Sequence, residues 1–95
     1  MFTVLITPLN YDESSRTMGG FATPEEARVF ARSVVARSLD ELARPGQSAE
    51  RLSKLWSIYG ESATVLDDSW RVVDELDVLI GEALDRAAAK ARKDD

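Results

Sequence analysis

With 95 residues, 44 % of them hydrophobic and 31 % charged, the chain has the length of one domain and the composition of a folded globular protein, too apolar for disorder and too irregular for a fibrous repeat. It contains neither cysteine nor histidine. That excludes disulfides, thiolate and imidazole metal sites, and the Ser-His-Asp and Cys-His arrangements of nucleophilic catalysis, while a formal net charge of −5 makes the chain acidic.

The first element is a strand over Phe2–Thr7. Phe2, Val4 and Ile6 alternate with Thr3, Leu5 and Thr7, and Pro8 ends the run. Residues 9–22 are polar and rich in turn formers, from Asn10 through Gly19-Gly20, and read as a long irregular loop. Thr23-Pro24-Glu25-Glu26 then opens a helix: threonine caps it, proline takes the first helical position, and Glu26 stands where a capping box needs it. Ala27, Phe30, Ala31, Val34, Val35, Ser38, Leu39 and Leu42 share one face of that helix, which covers about 24–43 and stops at Pro45-Gly46.

Leu55–Tyr59 and Ala63–Leu66 are short β-rich runs separated by Gly60-Glu61-Ser62, the pattern of a hairpin. A short helix from Ser48 to Leu55 is the alternative for the first part of this region. From Trp70 the apolar positions Val72, Val73, Leu76, Leu79, Ile80, Ala83, Leu84, Ala87 and Ala91 hold one helical face, so a second helix is expected over about 70–92, capped by Ser69 or Asp68. Residues 70–73 also suit a further strand. The expected order is β-α-β-β-α, an α/β (α+β) two-layer sandwich of two helices on a small three-stranded sheet, with a right-handed crossover after the first helix. The whole chain, 1–95, is read as a single domain.

The segment Met1–Pro8 has no basic region and too short an apolar run for a signal peptide, and no stretch approaches the roughly 20 apolar residues of a membrane span. With no disulfide to stabilise the chain in an oxidising exterior, the expected setting is the cytoplasm. Arginine outnumbers lysine 9 to 3 and alanine is abundant, a bias associated with GC-rich bacterial genomes and their phages.

Without histidine or cysteine, chemistry is left to carboxylates, lysine, tyrosine and hydroxyls. Asp67-Asp68 or Asp12-Glu13 are the pairs with the character to ligate a hard cation, but adjacent acids more often cap a helix or face solvent, and no calcium-loop spacing is present. Met18-Gly19-Gly20-Phe21 precedes a helix as phosphate loops do. Pro24 removes one amide donor there, and Glu25 and Glu26 put negative charge where an anion would sit, so a flexible turn is the expectation. No Walker lysine, dinucleotide fingerprint or nucleophile elbow occurs. No catalytic residue, cofactor or metal is expected, and the chain is read as a non-enzyme.

Charge is distributed unevenly. Residues 1–60 carry 7 acids and 7 bases, residues 61–85 carry 8 acids with Arg71 alone against them, and the last ten residues carry 4 bases and 2 acids. Glu61, Asp67, Asp68, Asp74, Glu75, Asp77, Glu82 and Asp85, with Val78 among them, form the candidate partner-binding surface, a continuous acidic band on the outer side of the second helix. Such a band is a solubilising face in its simplest reading. Its functional reading is engagement of a basic surface that otherwise holds phosphates, which also argues against direct contact with nucleic acid. Arg28, Arg32, Arg37 and Arg44 on the first helix are interleaved with acids and read as ion-paired surface. A second candidate is the open face of the sheet, where Leu5, Leu55, Ser57, Tyr59, Thr64 and Leu66 offer a surface for homodimerisation, unless the 8–22 loop covers it with Tyr11 or Phe21.

In size, in the acidic stretch from Glu61 to Asp85 and in its arginine and alanine bias, the chain resembles the small acidic inhibitors that phages encode, such as anti-CRISPR proteins. The resemblance is one of overall character. It implies a protein that occupies the nucleic-acid-binding surface of a host protein or complex and so inhibits or regulates it.

Overall fold

The computed structural model describes residues 1–9 and 14–93. Strand β1 (Phe2–Pro8) and strand β2 (Arg16–Phe21) lead into helix α1 (Pro24–Leu42) and helix α2 (Ala49–Tyr59); strand β3 (Glu61–Val65), a single 3₁₀ turn (Val72–Glu75) and helix α3 (Leu76–Lys93) follow. The class is α+β, as the composition of elements predicts, but the order and the helix count differ from expectation. Among the described residues no helix is long and apolar enough to cross a membrane.

β1 is the central strand of a three-stranded antiparallel sheet ordered β2-β1-β3. Val4 pairs with Val65 and Ile6 with Ala63, so these four side chains form one apolar sheet face, all at most 3 % exposed. The opposite face carries Leu5 between Thr17 and Thr64. Because β1 and β3 are antiparallel neighbours, the rule of right-handed crossovers, which concerns parallel strands, does not apply here.

Against the apolar face lies α1. Its Ala27, Ala31, Val35 and Leu39 recur every fourth residue and are fully buried, and α1 touches every other element. Its start is as predicted: Thr23 Oγ1 accepts from Glu26 N at 3.2 Å, and Glu26 Oε2 accepts from Ala22 N at 3.3 Å. Leu52 and Trp56 from α2 and Leu79, Ile80 and Ala83 from α3 complete the core. Trp56 Nε1 donates to Ser38 Oγ (3.1 Å) and to the Glu61 carbonyl (3.2 Å), so α1, α2 and the start of β3 meet at one indole.

Three expectations need correction. Leu55–Tyr59 is the second half of α2, because Ser48 caps a helix (Arg51 N to Ser48 Oγ, 3.1 Å) and Leu52, Leu55, Trp56 and Tyr59 follow helical spacing; that periodicity outweighs the β propensity of Trp, Ile and Tyr. The alternative helix from Ser48 is the one the chain adopts, one turn longer than expected. Residues 16–21, expected as part of a loop, form an edge strand and not a turn into α1. Its pairing comes from backbone hydrogen bonds to β1 through a register shift between Phe2 and Val4, where Gly20 has φ of +90°. Finally, α3 starts at Leu76, since Arg71 is extended and Val72–Glu75 is 3₁₀; neither Ser69 nor Asp68 caps it. Tyr11, Asp12 and Glu13 lie outside the described residues.

Candidate functional site

The expected acidic band is divided in two by the first helix. Arg28 and Arg32 sit one turn apart on the flank of α1 that faces the chain leaving β3. Arg28 Nε and Nη2 donate to the two Asp68 oxygens at 2.6 and 2.7 Å. Arg32 does the same to Glu75 at 2.9 and 3.1 Å. Trp70 Nε1 also donates to Glu75, and the Arg32 guanidinium stands over the Trp70 ring, 5.3 Å from its centroid. These bonds hold both carboxyls below their ordinary range, Asp68 through Arg28 and Glu75 through Arg32 and then Trp70.

Glu61 is likewise occupied. Arg16 Nη2 stands 2.8 Å from Glu61 Oε2, an oxygen shielded from solvent that receives no well-aligned hydrogen bond, so the contact is one of charge. Asp68, Glu75 and Glu61 are therefore parts of the scaffold, and the continuous strip predicted from Glu61 to Asp85 does not exist.

What remains is narrower. Asp74 on the 3₁₀ turn and Asp77, Glu82 and Asp85 on α3 are exposed, around a Val78 that is 62 % exposed. Among the described residues none of these four carboxylates has a basic partner at hydrogen-bonding distance; Glu82 has only a long 3.9 Å contact with Arg86, which is itself turned towards Asp40 at 2.9 Å. Asp67 is also exposed, in the turn after β3, with φ of 64°. Asp77 lies to one side, in the groove between α2 and α3 with Lys54 and Ile80. Acids at the start of α3 and bases near its end also match the helix dipole, which gives these charges a stabilising role of their own.

No family model, curated protein or solved structure matches the chain. A functional reading therefore rests on these side chains alone.

The sheet-face surface shrinks as well. Leu55, Ser57 and Tyr59 belong to α2, which leaves Leu5 and Thr64, with Leu66 just beyond the strand, on the open face. Among the described residues no group of three or more acidic side chains gathers as a metal site. Neither arginine pair was legible as such in the sequence. The signal present was the spacing of Arg28 and Arg32 by one helical turn beside the apolar stripe, with acids placed to match them at Asp68 and Glu75.

Proposed function

We propose that the chain is a non-enzymatic acidic binding protein of the cytoplasm, which inhibits or regulates a nucleic-acid-handling protein or complex by occupying its basic surface. The observation that supports this reading is the sorting of neighbouring acids. Glu75 is consumed by Arg32, whereas Asp74, Glu82 and Asp85 face solvent and, among the described residues, have no basic partner at hydrogen-bonding distance, with an exposed valine between them. Carboxylates outside the ion pairs that tie the fold together, set on the 3₁₀ turn and on α3 beside an exposed valine, suit a basic surface that is partly apolar.

The surface is therefore Asp74, Asp77, Val78, Glu82 and Asp85, with Asp67 at its margin. Its test is a variant with Asp74, Glu82 and Asp85 all changed to lysine. Immobilised native chain is expected to capture a nucleic-acid-binding protein from bacterial lysate, to lose it as salt rises, and to lose it to added duplex DNA or RNA. The triple variant is expected to fold and capture nothing. Equal capture by both chains, or capture indifferent to salt and nucleic acid, overturns the proposal.

A further inference from the structure

The turn between α1 and α2 holds a positive charge that the fold does not neutralise. Arg44 N donates to Gln47 Oε1 at 3.1 Å and Gln47 N to the Arg44 carbonyl at 3.2 Å, while Gly46 turns the chain with φ of +77°. Inside this clasp Arg44 Nη1 donates to two backbone carbonyls at the end of α1, those of Glu41 (3.1 Å) and Ala43 (2.8 Å). Neutral acceptors thus hold the guanidinium in place, and its other nitrogens have no partner among the described residues. The turn borders an open cavity of about 420 Å³. A second wall is α2, where Arg51, Leu55 and Tyr59 stand four residues apart, and Leu42 of α1 adds another apolar contact. No carboxylate lines this cavity. Arg44, expected in an ion-paired surface, forms no ion pair among the described residues, and neither does Arg51, although the chain has 17 acids for its 12 bases.

We propose that this cavity binds a small oxyanion carried on a flat aromatic ring, whether the anion is a phosphate or a carboxylate. Its volume falls within the roughly 300–1,000 Å³ of small-molecule sites, and its lining has their usual make-up, apolar walls with a few fixed polar groups. The oxyanion takes the place of the missing acid between Arg44 and Arg51, where a planar guanidinium gives two parallel hydrogen bonds. Because the turn fixes Arg44 before anything binds, little order is lost on binding. The ring lies on Leu42 and Leu55 beside Tyr59, whose aromatic face is 62 % exposed and has room for a stacked partner. This goes beyond the proposed function and shares no residue with it, since that surface lies on the 3₁₀ turn and α3.

An NMR titration of the ¹⁵N-labelled chain tests it, with phenyl phosphate and benzoate as probes. At least one of them is expected to give saturable shifts confined to the amides of residues 44–47 and of α2, and the tighter of the two names the oxyanion. Inorganic phosphate lacks the ring and benzamide lacks the charge, so each should bind about tenfold more weakly. Arg51→Gln changes an exposed position, should keep the native spectrum elsewhere, and should weaken binding about tenfold. Tyr59→Ala, also exposed, should weaken it about three- to tenfold. Shifts that do not saturate or that fall elsewhere, inorganic phosphate or benzamide binding as tightly as the ring-bearing anions, or both variants binding as the native chain does, overturns the proposal. The titration reads neither Asp74, Glu82 and Asp85 nor capture of a protein, so failure of either reading leaves the other standing.

Discussion

Arg28 on α1 grips Asp68 with two hydrogen bonds of 2.6 and 2.7 Å, tying the first helix to the turn that follows β3, 40 residues later in the chain. One turn further on, Arg32 repeats the arrangement with Glu75. Together the two pairs fix the path from the sheet into α3.

Their contribution depends on pH. The ordinary values are 3.8 for Asp68 and 4.5 for Glu75, and both are lowered in the folded chain. As pH falls the unfolded chain therefore takes up protons first, so the stabilisation is complete above about pH 5 and is lost as pH drops through the lowered values. Arg28→Ala and Arg32→Ala should melt below the native chain at pH 7, and the gap should narrow towards about pH 3. Thermal denaturation followed by circular dichroism across that range checks it; a gap independent of pH would contradict this account.

Asp74 and Glu75 are adjacent acids with opposite roles. Asp74→Lys should change stability by no more than about 0.5 kcal/mol, as exposed substitutions usually do. Glu75→Lys should lower the melting temperature clearly, because it sets a second cation against Arg32 and leaves the Trp70 indole without its acceptor. Urea denaturation of the two variants side by side separates them.

Gly60 closes α2 directly beneath an aromatic ring. A Cβ there would stand 2.7 Å from Trp56 Nε1 and from the Trp56 carbonyl oxygen. Gly60→Ala should therefore displace the indole from Ser38 and Glu61 and cost about 1–3 kcal/mol, the usual range for overpacking. The shift should appear both in the urea midpoint and in tryptophan emission, since the ring moves towards water.

Leu39 is wholly buried at the end of the α1 stripe. Leu39→Ala should cost about 2–5 kcal/mol, against a total stability of about 5–15 kcal/mol for a domain. Thr23→Ala, which removes only the cap, should cost about 1 kcal/mol. Measuring both in one urea series tests whether packing outweighs capping at the two ends of the same helix.

Local signals in the sequence decide the structure where one physical cause dominates. Thr23-Pro24 and Glu26 start α1 as capping chemistry requires, and the alternation of Phe2, Val4 and Ile6 makes β1. They mislead where two causes compete. Trp56, Ile58 and Tyr59 favour strands individually, yet the spacing of Leu52, Leu55, Trp56 and Tyr59 and the Ser48 cap make a helix. β2 was invisible for another reason: Thr17, Met18 and the two glycines bury little, and the strand is recruited by a neighbour's backbone. The division of the acidic band was out of reach because charge along a chain does not reveal which carboxylates an arginine 40 or 43 residues away will take.

β1 finds its first neighbour close by in sequence and its second only after α1 and α2, where Val4 meets Val65. During synthesis the residues of β1 and β2 therefore emerge while the other margin of β1 still has unmatched amide and carbonyl groups. Closing the sheet must wait until both intervening helices have left the ribosome. The slow step of folding is expected to be this late docking of β3, and the half-built sheet is the stage at which the nascent chain is most prone to pair with a stranger.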